Sequence, residues 1–197
     1  MGQLYAAHVV HDLWKATEGN AVLVTDVGQN QMWSAQYYKH DQPYKSITSG
    51  GLGTMGFALP AAIGAKVACP DEEVWAIAGD GGFQMTQAEL QTAAQHGVKV
   101  NIAVINNGFL GMVRQWQQLF FDKRYASTEM VNPDFVAIAK GYYLDSERVK
   151  DRKNLKPAVE RMIKSKKPFV LEICVEKENN VFPMIPSGAS VSDVRLN

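Results

Sequence analysis

The sequence predicts an α/β protein, a three-layer α/β/α domain on a parallel sheet of six strands. Three observations carry this. Val74–Ala78, Val98–Ile105 and Phe169–Val175 are apolar, rich in β-branched residues and almost uncharged, as strands buried on both faces are. Stretches of helical period alternate with such runs along the whole chain, the pattern of a sheet covered on both sides. The two central runs end abruptly in small or polar residues, Gly79-Asp80-Gly81-Gly82 and Asn106-Asn107. That places ligand-type side chains at the carboxyl edge of the sheet, where open α/β folds bind ligands.

Composition sets the bounds. The 197 residues suffice for one sizeable domain, and 46% hydrophobic content supplies a full core. Lysine plus arginine (20) balances aspartate plus glutamate (20), so charge makes no case for nucleic acid or an anionic membrane. No apolar run approaches the ~20 residues of a bilayer span, and the amino terminus lacks a secretory pattern. Cys69 and Cys174 have no metal spacing and read as reduced core residues of a cytoplasmic protein.

In chain order, Leu4–Thr17 reads as a helix ended by Gly19-Asn20, and 21–25 as the first buried strand. Asp26-Val27-Gly28-Gln29-Asn30 follows at its carboxyl end, then a helix through Met32–Ala35. Gly28–Asn30 is either a plain strand-to-helix turn or an anion site. A short strand at Ser46–Thr48 leads into the glycine-dense Ser49–Gly56, which fits no nucleotide motif and suits close approach to a flat ligand. A helix spans Phe57–Ala68 with Pro60 in its first turn. Strand 74–78 runs into Gly79–Gly82, where Gly81 and Gly82 leave backbone N–H groups bare for a close-approaching anion.

Thr86-Gln87-Ala88-Glu89 has the pattern of a capping box and should open the next helix, which Gly97 ends. Strand 98–105 follows, then Asn106-Asn107 and a loop at Gly108–Gly111. Helix 112–121 carries Met112, Val113, Trp116, Leu119 and Phe120 at helical spacing. The last two read as core, whereas Met112, Val113 and Trp116 suit either core or a pocket wall beside the loop. Asn132-Pro133-Asp134 starts a helix that Gly141 stops. Tyr142-Tyr143-Leu144 is expected as the fifth strand, Asn154 as the cap of a helix to Lys164, and 169–175 as the sixth strand. Domain 1–175 then gives way to a polar, proline-bearing tail, 176–197, expected to cover the active site and to be loosely held in this chain by itself.

The chemistry converges on Asp80 and Asn107. Both are hard oxygen ligands of the kind Mg²⁺ takes alongside phosphate, and Gly81 and Gly82 leave room for an anion. A bare Gly-Asp-Gly also makes ordinary turns. Here 82–105 separates it from Asn-Asn, enough for one crossover helix and one strand. No Ser-His-Asp or Cys-His arrangement is visible, and the histidines form no ligand group.

This pair resembles the signature of thiamine diphosphate enzymes. Together with Asp26–Trp33, Gly50–Gly56, Gly111–Trp116 and Asn180–Pro186, it resembles the carboxyl-terminal third of acetohydroxyacid synthase, also called acetolactate synthase. The resemblance implies the thiamine diphosphate-binding fold, with Mg²⁺ held by Asp80, Asn107 and the Phe109 carbonyl. It assigns cofactor contacts to Gly28, Gln29, Asn30, Gly53, Met55, Gly79, Asp80, Gly81, Gly82, Asn107, Gly111 and Met112. The Met55 side chain would wedge the cofactor into its bent shape. Met112, Val113 and Trp116 would line the substrate side.

Pyruvate would be decarboxylated and joined to a second 2-keto acid, pyruvate or 2-ketobutyrate. The product is 2-acetolactate or 2-aceto-2-hydroxybutyrate, on the route to branched-chain amino acids. No catalytic residue falls within this chain: the activating glutamate would come from an amino-terminal domain and FAD from a central one. Partners would be those domains, further copies of the full-length subunit and a regulatory subunit. Another thiamine diphosphate-dependent decarboxylase, oxidase or carboligase, or a non-catalytic cofactor-binding or dimerisation module, stays open at this point.

Overall fold

In the computed structural model, which describes residues 3–196, the strands are β1 (Val22–Thr25), β2 (Ser46–Thr48), β3 (Val74–Gly79), β4 (Asn101–Asn106), β5 (Asp145–Val149) and β6 (Phe169–Cys174). They form one all-parallel sheet in the order β2-β1-β3-β4-β6-β5. The helices are α1 (Ala6–Ala16), α2 (Gln29–Tyr37), α3 (Ala58–Ala68), α4 (Asp80–Thr86), α5 (Leu90–Gln95), α6 (Gly111–Phe120), α7 (Phe135–Gly141) and α8 (Arg152–Lys164).

Strand alternation splits the core in two. Leu23, Trp75, Ile77, Ala103, Ile105, Leu171 and Ile173 point to one face and pack with α1, α2 and α8. Val22, Val24, Val74, Ala76, Ala78, Ile102, Val104 and Val170 point to the other and pack with α3, α5 and α7. Both faces are apolar, which is why the central strands read as continuous hydrophobic runs. Strand order reverses between β1 and β3. Their carboxyl ends therefore splay apart into the crevice such sheets use for ligands.

Gly79 caps α4, and Asp80, Gly81 and Gly82 form its first turn. Several expectations need correction. Gly111 opens α6 instead of closing a loop. Thr86 makes no capping bond; its hydroxyl donates to the Gly56 carbonyl, and a 3₁₀ turn over Gln87–Glu89 leads into α5. Tyr142–Leu144 is not a strand. Tyr143, at φ +62°, lies in the turn that follows α7, and β5 begins at Asp145. Four of the five residues of this edge strand are polar, so it lacks the apolar run that marks its neighbours.

Helix α8 begins at Arg152 after Asp151, not at Asn154, which leaves Pro157 beyond the first turn. The cysteines are not core residues: Cys69 is exposed at the end of α3 and Cys174 is half-buried at the end of β6. The first part of the tail is not loose. Val181 and Met184 are buried there, and Met184 pairs with Arg195 in an antiparallel bridge.

Candidate functional site

The carboxyl ends of β1, β3 and β4 open into a cleft of about 240 Å³. Its lining brings together Gly28, Gln29, Asn30, Gly53, Met55, Gly79, Asp80, Gly81, Gly82, Asn107, Phe109, Gly111, Met112 and Val113. The sequence had nominated these from four separate stretches of chain. Trp116 stands apart. It stacks on Phe120, with ring centroids 4.6 Å apart. It lines a neighbouring surface cleft with Gln117, Phe121 and Arg124, and Val113 lines both clefts.

Asp80 is the chemical centre. It is buried, at 2% exposure, and its hydrogen-bonding partners are all neutral. Oδ1 accepts from its neighbour Gly81 N–H (3.1 Å), and Oδ2 accepts from Gly108 N–H (2.9 Å) and Asn132 Nδ2 (2.7 Å). Burial pushes its carboxyl above the ordinary carboxylate range, against the pull of those donors. A buried carboxylate without a cationic side chain beside it is poised for a metal cation. Asn107 and Phe109 line the same cleft, and amide and carbonyl oxygens are hard ligands of the kind Mg²⁺ takes beside a carboxylate. Among the described residues no group of three or more His, Cys, Asp or Glu forms a conventional metal cluster.

The two asparagines divide the work. Asn107 lines the cleft, while Asn106 holds the frame behind it. Asn106 Oδ1 accepts from Gly108 N–H (3.1 Å) and Asn132 Nδ2 (2.9 Å), and its Nδ2 donates to Glu172 (2.8 Å). Glu172, at 2% exposure, is neutralised by Arg148 (2.6 Å), which reaches on to Asp134 (2.7 Å). A continuous polar chain thus runs from the surface through Glu172, Asn106 and Asn132 to Asp80. Neither Asn132 nor Glu172 was nominated from sequence.

The glycines are required where groups approach closely. A Cβ on Gly82 would collide with Asp26 Oδ1. That carboxylate, buried at the end of β1, accepts from Val27, Gly56 and Ala58 N–H (2.9, 3.1 and 3.0 Å) and so ties the glycine-dense loop to the sheet. A Cβ on Gly81 would stand 2.7 Å from Leu110 and 3.5 Å from the Met55 methyl, so Met55 comes close to the start of α4.

At the start of α2, Gly28 (φ +110°) turns the chain, and Gln29 and Asn30 are buried in the first turn. Asn30 Nδ2 donates to the Val27 carbonyl (3.0 Å), while its Oδ1 is buried and accepts nothing. Gln29 differs from what its sequence suggested: both side-chain amide hydrogens are already committed, to Gln115 Oε1 (3.0 Å) and the Asn179 carbonyl (3.1 Å). Main-chain N–H groups and Asn30 are thus the free polar groups of this turn. Gln115, fully buried, was also missed. Helix α6 carries Gln115, Gln117 and Gln118, and nothing local in the sequence marks which of them turns inward.

Two kinds of comparison bear on this geometry. A family model described as "Thiamine pyrophosphate enzyme, C-terminal TPP binding domain" matches residues 26–173. The chain is 45% identical over 193 residues to the acetolactate synthase large subunit of Corynebacterium glutamicum, covering 95% of this chain and 31% of that protein. It is 42% identical over 192 residues to the acetolactate synthase isozyme 2 large subunit of Escherichia coli K12, covering 97% and 35%. With the acetolactate synthase large subunit of Lactococcus lactis it shares 44% over 173 residues, covering 87% and 30%. The chain spans about a third of the length of these curated relatives.

Proposed function

The chain belongs to the thiamine pyrophosphate enzyme, C-terminal TPP binding domain family, and on that premise we propose that it is the cofactor-gripping domain of an acetolactate synthase large subunit. The reading rests on one observation above all. Asp80 is a buried carboxylate with only neutral partners, in one cleft with Asn107 and Phe109 at the strand-order switch.

Asp80, Asn107 Oδ1 and the Phe109 carbonyl would hold Mg²⁺. Gly82 N–H in the first turn of α4 and the N–H groups of α2 after Gly28 would face the diphosphate oxygens, joined by Gly81 N–H once it leaves Asp80 Oδ1. Gly53 and Met55 would take the aminopyrimidine, with Met55 as the wedge. Met112 and Val113 would flank the reacting end, and Trp116 would reach it from the adjoining cleft. Bound thiamine diphosphate supplies an electron sink for loss of CO₂ from one 2-keto acid and for bond formation with a second. The residues here hold and orient it.

The cleft is slightly smaller than the ~300–1,000 Å³ of complete small-molecule sites, which fits a site with further walls. In the full-length subunit those walls would come from an amino-terminal domain, with the glutamate that activates the cofactor, and a central FAD domain. Homo-oligomeric assembly and a regulatory subunit belong to the same reading. Pyruvate and 2-ketobutyrate are the proposed substrates, in branched-chain amino acid synthesis. Tail residues 176–197 would close the site. No helix among the described residues is long and apolar enough to cross a membrane, and the free thiols of Cys69 and Cys174 suit a reducing compartment such as the cytoplasm.

The test is calorimetry of the chain with thiamine diphosphate, with and without Mg²⁺. Binding should require the metal, and Asp80→Ala should lose it while keeping its circular dichroism spectrum. An Asp80→Ala chain that binds as tightly as the parent would overturn the assignment.

A further inference from the structure

A side-chain amide has a donor end and an acceptor end, and which is which follows from the groups it meets. At Val181, in the carboxyl-terminal segment, there is no ambiguity, because a backbone N–H only donates and a carbonyl only accepts. Gln115 meets both. Val181 N–H donates to Gln115 Oε1 (2.8 Å), and Gln115 Nε2 donates to the Val181 carbonyl (2.9 Å). The second Nε2 hydrogen goes to Met184 Sδ (3.2 Å). The orientation of Gln115 is therefore dictated by the tail.

The polarity then passes inward. Gln115 Oε1 also accepts from Gln29 Nε2 (3.0 Å), and the other Gln29 amide hydrogen goes to the Asn179 carbonyl (3.1 Å). Two acceptors, one of them main chain, turn Gln29 the same way. Its Oε1 is left facing Asn107 and accepts from Asn107 Nδ2 (3.1 Å). With its nitrogen held there, Asn107 turns Oδ1 the other way, where it also accepts from Phe109 N–H (3.1 Å). Gln29, Gln115 and Asn107 are all buried. Gly111 leaves the crossing open: a Cβ there would collide with Gln29 Oε1 and stand 2.8 Å from Asn107 Nδ2.

We propose that residues 179–181, through Gln115 and Gln29, hold the nitrogen end of the Asn107 amide while Phe109 N–H holds its oxygen end, so that its oxygen and not its nitrogen is presented to the cation. Gln115 and Gln29 are positioning residues in this sense. The proposal rests on the reading of Asn107 as a metal ligand. It adds that seating of the tail and metal affinity are one coupled event. A carboxamide turned the other way would present its donor hydrogens to the metal and remove a ligand. Gln36, which donates to the Pro183 carbonyl (3.1 Å), holds the tail outside this relay and serves as the control.

The experiment uses the ¹⁵N-labelled chain, as parent, Gln115→Met and Gln36→Ala, with two readouts. Hydrogen exchange of the Asn107 Nδ2 protons is followed without ligand, and Mg²⁺ affinity is measured at saturating thiamine diphosphate. In Gln115→Met the Asn107 protons should lose protection and Mg²⁺ affinity should fall roughly 10–100-fold, the usual effect of losing an outer-shell partner. Gln36→Ala should move neither. If Gln115→Met leaves both readouts at parent values, or Gln36→Ala matches its losses, the relay is overturned and the tail merely packs.

If the parent binds no Mg²⁺ with thiamine diphosphate, the functional reading falls. The exchange readout still judges the relay: lost protection supports it, retained protection overturns it. Should Gln115→Met fail to fold, the parent decides. Asn107 Nδ2 protection matching that of Val181 N–H supports the coupling, and free exchange at Asn107 beside a protected Val181 overturns it.

Discussion

The Asp26 carboxylate occupies the space where a side chain on residue 82 would begin. Oδ1 fits against the first turn of α4 because Gly82 has no Cβ. With that contact in place, Asp26 collects the N–H groups of Val27, Gly56 and Ala58 and joins the end of β1, the glycine-dense loop and the start of α3. Gly82→Ala should therefore destabilise the chain by about 1–3 kcal/mol, the usual cost of overpacking. Urea denaturation measures this; stability equal to the parent's would show that the contact yields freely.

Asn132 holds Asp80 from a loop far along the chain. Asn132→Ala removes a donor from a buried carboxylate and should cost about 1–3 kcal/mol. Part of the lost melting temperature should return when Mg²⁺ and thiamine diphosphate are added, since a ligand of the folded state stabilises it. A variant as stable as the parent would mean that Gly108 and Gly81 suffice.

Trp116 is half-buried on the outer cleft. In a full-length enzyme Trp116→Leu should change the preference between pyruvate and 2-ketobutyrate while leaving the melting temperature nearly unchanged. A large drop in stability with unchanged preference would assign Trp116 to packing alone.

Lys99 gives a pH signature. Burial pushes its pKa down from 10.5 to about 8, although Nζ donates to the Met162 carbonyl (2.9 Å) and to Asn101. The unfolded chain then binds the proton more tightly than the folded one. Stability linked to this group rises as pH climbs from about 8 to 10.5, and is lost as pH falls through about 8. The stability difference between parent and Lys99→Met should move in the parent's favour over that window. A difference independent of pH would show that Lys99 titrates normally.

The chain on its own should be catalytically silent. General acid–base help of the kind an activating glutamate provides is typically worth ~10²–10⁴-fold, and among the described residues no glutamate lines the cleft. Incubation with pyruvate, Mg²⁺ and thiamine diphosphate should yield no acetolactate until amino-terminal domains are added in trans. Acetolactate at enzyme-like rates from the chain alone would place the activating carboxylate within it.

Local patterns account for most of what could be read in advance. Buried strands announce themselves as apolar runs, and Asp80 and Asn107 stand directly after two of them. Each is a ligand-type residue at a strand's carboxyl end, which is a statement about neighbours in sequence. The mostly polar edge strand β5 has no such run and was displaced onto Tyr142–Leu144. The start of α8 was misjudged because a cap at Asn154 would put Pro157 in the first turn, whereas the helix begins at Arg152 and Asp151 makes no side-chain cap bond there.

The amino-acid sequence by itself determined the α/β class, the two central strands, and which oxygens and glycines meet at the sheet edge. Only the tertiary structure decided what holds them there. Asn132 reaches Asp80 across 52 residues, Asn106 reaches Glu172 across 66, and Gln115 reaches Val181 across 66. The physical reason is that a hydrogen bond depends on which buried donor faces which buried acceptor. A polar residue looks the same in sequence whether it will face solvent or complete a relay, until folding removes the water that would otherwise satisfy it.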